Sequence, residues 1–156
     1  MTVNFKKLPD LQLFKNKISN NTTSFRLQKP KRANEETRNL VFLHGLNGSS
    51  KSWYYQFTHF DIHKVISIDA PGFGASKVQR GGIPEFADEV AQLLEHLEIE
   101  AAIVVGHSMG GMLAQLLASQ LSNKCVGLFL SCTHKGRAKP KKEPLSQETR
   151  QRMNDR

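Results

Sequence analysis

The chain has 156 residues, 38% of them hydrophobic, and 22 Lys and Arg against 14 Asp and Glu give a net charge of +8. That length suits one domain around one core. No apolar run approaches the ~20 residues that cross a bilayer, and the polar stretch Met1 to Lys7 leads into no apolar signal segment.

The charge is uneven. Nine cations face three anions in residues 1–40, five face eight in 41–133, and eight face three in 134–156. The cations lie in polar, loop-like sequence without interleaved aromatics, so they read as solvated ends and not as a nucleic-acid surface. Cys125 and Cys132 flank the apolar segment Val126–Ser131 and read as core thiols, not as a disulfide. A reducing cytoplasm is the expected setting.

In chain order, Leu11–Phe14 and Ser24–Gln28 alternate loosely around the polar stretch 19–23, which predicts a β-hairpin. A charged connector from Lys29 to Arg38 leads to Leu40-Val41-Phe42-Leu43, a continuous apolar run expected of a strand covered on both faces. It ends in His44-Gly45-Leu46-Asn47-Gly48-Ser49-Ser50, and a helix is expected from Ser52. Val65–Ile68 is the next strand, broken by Asp69-Ala70-Pro71-Gly72-Phe73-Gly74-Ala75-Ser76.

Pro84 suits the first position of a helix, along which Phe86, Val90, Leu93, Leu94 and Leu97 form one stripe. Ala101–Val105 is a buried strand. An amphipathic helix follows from Met109, with Met112, Leu113, Leu116, Leu117 and Leu121 on one side. Val126–Leu130 closes the regular part, and residues 146–153 offer one weak helix beyond it. Strand–helix alternation with continuous apolar strands predicts an α/β fold, a mostly parallel sheet with helices on both faces.

Between the Ala101–Val105 strand and the next helix stands Gly106-His107-Ser108-Met109-Gly110, a G-x-S-x-G sequence. Composition alone would produce that pattern in about one chain of this length in twenty. The strand before and the helix after make chance a poor account. A serine at such a corner is strained, with its hydroxyl projecting clear of the sheet. Side chains two residues to either side would collide, which is why glycine stands there.

With these three motifs in this order, over roughly residues 10–133, the chain resembles the α/β-hydrolase family in its lipase-, esterase- and lactonase-like branch. The resemblance divides the chain into a hairpin and basic connector (1–39), a hydrolase core (40–133) and a basic tail that begins a lid region (134–156). It implies that Ser108 is a nucleophile forming an acyl-enzyme with an ester, lactone or thioester. The backbone N–H groups of Met109 and Leu46 would then stabilise the oxyanion. A serine excludes the branches that attack with aspartate. Beyond that, the small-molecule acyl substrate is unreadable.

Other polar residues are expected to be structural. His107 adjoins the serine but points elsewhere, His44 shapes the loop after its strand, and Asp69 belongs to a Pro-Gly turn. Trp53, Tyr54 and Phe73 suit an acyl pocket and core packing equally. The sequence shows no metal cluster, phosphate loop or dinucleotide fingerprint, so no cofactor is implied.

The resemblance also calls for a histidine and an acid well after the serine. His134 comes too early to match, and Glu143, Glu148 and Asp155 have no strand to position them. The last strand, Leu128-Phe129-Leu130, has an interior pattern with nothing after it to pair with. The chain thus reads as the N-terminal part of a hydrolase fold lacking its last strands and lid, inactive alone, whether a truncated reading frame or a fragment. The alternative is a non-catalytic module that pairs through that strand.

Overall fold

Strands apolar towards both faces need cover on both faces, and the segments between them supply it. The computed structural model describes residues 3–135. Six strands form one sheet: β1 (Leu11–Lys15), β2 (Thr22–Gln28), β3 (Asn39–Leu43), β4 (Lys64–Ile68), β5 (Ala102–His107) and β6 (Cys125–Ser131). Their order across the sheet is β1-β2-β4-β3-β5-β6. β1 and β2 make the expected antiparallel hairpin, and β2 runs antiparallel to β4. Every pairing among β4, β3, β5 and β6 is parallel. The α/β expectation holds.

Alternation along the strands sorts the two cores. Val41, Leu43, Ile66, Ile68 and Val104 face helices α2 (Ile83–His96) and α3 (Met109–Leu121), meeting Val90, Leu93 and Leu94 of one and Leu113, Ala114 and Leu117 of the other. Leu40, Phe42 and Val65 face the opposite side, where they meet Phe57 of the short helix α1 (Tyr54–His59) and Trp53 of the 3-10 turn before it. Phe42 and Trp53 pack with ring centres 4.9 Å apart.

Several boundaries differ from expectation for local reasons. The segment expected to be helical from Ser52 opens as a 3-10 turn at Ser50, because Ser49 Oγ accepts from Lys51 N–H at 3.3 Å and Ser52 Oγ accepts from Ser49 N–H at 3.1 Å. Ile83 takes the first position of α2 and Pro84 the second, still within the turn where a missing N–H costs nothing. β5 continues to His107 because β6 keeps pairing, with Gly106 opposite Leu130 and His107 opposite Ser131.

On α3 only Leu113 and Leu117 of the expected stripe are buried, together with Gly110, Gly111 and Ala114. This helix is packed against both the sheet and α2, so its small residues set the closest approach. Both cysteines are free, but Cys132 is exposed and not a core thiol. It lies past the end of β6 at a φ of +49°, where the chain turns away from the sheet. Residues 136–156, including Glu143, Glu148, Asp155 and the weak helix, lie outside the described residues.

Among the described residues β6 pairs on one side only, to β5. Val126, Leu128, Phe129 and Leu130 are between 40% and 62% exposed. An apolar strand with free backbone groups along one edge templates association. Placing lysine at Val126 and Leu128 together is expected to lower concentration-dependent light scattering. Unchanged scattering would mean that β6 does not drive self-association.

Candidate active site

Ser108 joins the end of β5 to the start of α3 with φ +52° and ψ −115°. L-residues avoid this region at a cost of roughly 1–3 kcal/mol, so the conformation persists only where surroundings dictate it. The Ser108 N–H donates to the Ser131 carbonyl at 2.9 Å. The Ser108 carbonyl accepts from Gly111 N–H at 2.9 Å, Met112 N–H at 3.3 Å and the Thr133 hydroxyl at 2.7 Å.

The two motif glycines permit the closure. A Cβ on Gly106 would overlap the Gly110 carbonyl, and one on Gly110 would overlap the Leu43 carbonyl at the end of β3. Ser108 itself is half-buried, and among the described residues none hydrogen-bonds its hydroxyl. Its place at the start of α3 surrounds it with the positive end of the helix.

The loop after β3 lies directly against this corner. A Cβ on Gly45 would stand 3.2 Å from Ser108 Cβ and 2.7 Å from His107 Nδ1. Gly48 N–H closes a turn onto the Gly45 carbonyl at 3.0 Å, with Asn47 at a φ of +65°. Leu46 rides the apex of that turn, its side chain 67% exposed. Beside the corner opens a cleft of about 540 Å³ whose walls include Leu46, Trp53, Gln56, Val105, His107 and Phe129. Ser108 is next to this cleft through His107 and is not part of its wall.

Two buried groups hold the loop. His44 Nε2 accepts from Ala70 N–H at 3.0 Å, which leaves the proton on Nδ1 to donate to the Gly45 carbonyl at 2.8 Å. Burial pushes the His44 pKa below the ordinary histidine value. Phe73 packs edge-on against the ring, with centres 5.1 Å apart.

Asp69, 1% exposed, accepts from the Ser24 hydroxyl at 2.6 Å and from Ser50 N–H at 2.5 Å. The Ser76 hydroxyl donates to the Asp69 carbonyl at 2.7 Å. Every one of these partners is structural, as the Pro-Gly turn context suggests.

The remaining candidates take different places around the corner. His107 is exposed, its ring against Gly45. His134 is exposed in the segment after β6, where its carbonyl accepts from Gln115 Nε2 at 3.1 Å. Trp53 both packs on Phe42 and lines the cleft. Tyr54 packs its ring edge-on to Phe5 at 6.1 Å, and neither Tyr54 nor Phe73 lines the cleft. Ser131 and Thr133 were not legible as site residues, because nothing local marks a strand's exit as the support of a distant turn.

The family model for the alpha/beta hydrolase fold matches residues 38–155. The chain belongs to the α/β-hydrolase family. It is 35% identical over 94 residues to the dihydrolipoyllysine-residue acetyltransferase component of the acetoin cleaving system of Pseudomonas putida, covering 58% of this chain and 25% of that protein. It is 32% identical over 98 residues to the 2-succinyl-6-hydroxy-2,4-cyclohexadiene-1-carboxylate synthase of Enterobacter sp. (strain 638), covering 62% of this chain and 38% of the relative.

Among solved structures, a probable hydrolytic enzyme from Pseudomonas aeruginosa PAO1 superposes with a TM-score of 0.70 at 27% identity, over 78% of this chain and 41% of that one. An N-acyl homoserine lactone degrading enzyme, Est816, gives a TM-score of 0.68 at 27% identity, over 78% and 45%. The chain thus spans well under half of each of these proteins. No helix among the described residues is long and apolar enough to cross a membrane.

Two outcomes follow from this geometry. Ser108→Gly is expected to be about 1–2 kcal/mol more stable than Ser108→Ala in urea unfolding, because only glycine adopts this backbone without strain. Equal stabilities would show that the corner is relaxed. The lowered His44 pKa means that the unfolded chain takes up the proton more readily. The His44 contribution is therefore complete above about pH 6.5 and is lost as pH falls below it. Urea midpoints should decline there in the parent protein, and His44→Gln should flatten the decline.

Proposed function

We propose that this hydrolase-family chain carries the nucleophile of a serine hydrolase acting on carboxylic ester-type bonds, whether ester, lactone or thioester. The observation that carries the reading is Ser108 at φ +52° and ψ −115°, on a corner that the surrounding structure over-determines. Strain of this kind is a reservoir found at reacting groups. In this reading Ser108 Oγ attacks the acyl carbon, the hydroxyl proton passes to a base, the alcohol or thiol departs, and water then cleaves the acyl-enzyme.

The Met109 N–H at the start of α3 and the Leu46 N–H on the loop beside the corner would meet the oxyanion. One such donor is worth ~3 kcal/mol of barrier. The contact of Gly45 with Ser108 and His107 supports this pairing, since it brings the loop to the corner. The cleft lined by Trp53, Val105 and Phe129 is apolar enough to receive an acyl chain. The likeness to an N-acyl homoserine lactone degrading enzyme supports the ester-type class.

Among the described residues no imidazole hydrogen-bonds the Ser108 hydroxyl, so sustained turnover by the 156-residue chain is not expected and capture of Ser108 needs a base supplied from solution. Incubation with a fluorophosphonate, with imidazole added as the base that takes the hydroxyl proton as fluoride leaves, should give one adduct, mapped to Ser108 by mass spectrometry and absent from Ser108→Ala. Adduct elsewhere, or an unaffected alanine variant, would overturn the reading. Sustained ester hydrolysis lost in His134→Ala would make His134 the base.

A second reading, a non-catalytic module that pairs through β6, is favoured by the exposed apolar residues of that strand. A protein that stays monomeric with β6 intact would remove its basis.

A further inference from the structure

We propose that Thr133 is a positioning residue, which aims the Met109 N–H by holding the carbonyl of Ser108. The inference rests on the reading of Ser108 and Met109 given above. The Ser108 carbonyl and the Met109 N–H are the two ends of one planar trans peptide, so fixing one end fixes the direction of the other. Thr133 Oγ1 donates to that carbonyl at 2.7 Å.

The other two donors, Gly111 and Met112 N–H, belong to α3 itself and would follow the helix if it tilted or slid. Thr133 approaches from outside the helix, on the segment that leaves β6. The strand's last residue, Ser131, accepts the Ser108 N–H at 2.9 Å. Both sides of the strained residue are therefore tied to one external support.

Gly111 is an independent mark of the same arrangement. It lies outside the G-x-S-x-G pattern, yet a Cβ there would stand 2.5 Å from Thr133 Cβ and 2.6 Å from its Oγ1. The bare helix surface at Gly111 is what lets the threonine hydroxyl reach the carbonyl.

The test uses Thr133→Val, which keeps the shape and removes the donor, and Thr133→Ser, which keeps the donor. Fluorophosphonate capture of Ser108, with imidazole added at one fixed concentration as the base, is followed at several reagent concentrations, so that reagent binding and the bond-forming rate separate. The valine variant is expected to lose about five- to tenfold in the bond-forming rate, the worth of one neutral hydrogen bond. Reagent binding should stay within about twofold, and the serine variant should react like the parent.

Capture by Thr133→Val at the parental rate would overturn the proposal, as would a change confined to binding or a failure of serine to rescue. Amide hydrogen exchange supplies the second arm. The Gly111 and Met112 amides, which share the carbonyl with Thr133, should exchange faster in the valine variant and not in the serine variant. Unchanged exchange overturns the proposal.

If the parent protein is not captured even with imidazole supplied, the nucleophile reading fails. The exchange arm then decides whether Thr133 holds the peptide. Should Thr133→Val not fold, Thr133→Ala removes the same donor and takes both measurements.

Discussion

A serine in the left-handed half of backbone space is the constraint on which the rest of this structure depends. Nothing local stabilises φ +52° with ψ −115°, so the strain must be carried by partners from elsewhere in the chain. They come from three directions. α3 offers two N–H groups to the Ser108 carbonyl, the exit of β6 offers Ser131 and Thr133, and the end of β3 presses its carbonyls against Gly110. The glycines of the motif are consequences of this crowding. Each one marks a place where two backbones meet too closely for a side chain.

A second network fixes what lies opposite the corner. Asp69 gathers the Ser24 hydroxyl from β2 and the Ser50 N–H from the start of the 3-10 turn, while its own carbonyl accepts from Ser76. Ser24 N–H in turn donates to Ser76 Oγ at 2.8 Å. The hairpin strand is thereby fastened to the loop after β4. His44 completes the connection by bridging Ala70 N–H and the Gly45 carbonyl. The buried Asp69 carboxyl and the buried His44 imidazole thus serve one purpose. They set the height of the Gly45–Gly48 turn above Ser108, and a buried polar group fully bonded in this way is rigid because each lost bond leaves an unsatisfied partner.

Much of this was legible from residues alone. Continuous apolar runs at Leu40–Leu43, Val65–Ile68 and Ala101–Val105 identified covered strands, since only a strand facing apolar neighbours on both sides tolerates such a run. The stripe from Phe86 to Leu97 identified α2 by its 3.6-residue period. The corner at Ser108 was legible because its glycines sit at fixed offsets within five residues.

What could not be read was support acting across distance. Ser131 and Thr133 lie more than twenty residues from Ser108 and match no local pattern. Cys132 was misread for a related reason. Its neighbours Leu128 to Leu130 suggested a buried environment, but burial depends on what lies beside the strand, and composition along the strand does not reveal that. The stripe on α3 was too broad because a helix pressed on two sides buries its small residues first.

The placement of β6 brings these lines together. Among the described strands it is the outermost, with Phe129 62% exposed, and it is also the strand whose exit holds both ends of the Ser108 backbone. Strand edges are ordinarily the parts of a sheet most free to fray, because they have pairing on one side only. Here the edge strand borders directly on the strained residue. The Ser131 carbonyl reaches Ser108 N–H through a single hydrogen bond, and a shift of β6 along β5 would carry Ser131 and Thr133 with it. The geometry of the corner is therefore tied, through Ser131 and Thr133, to the register of β6 on β5.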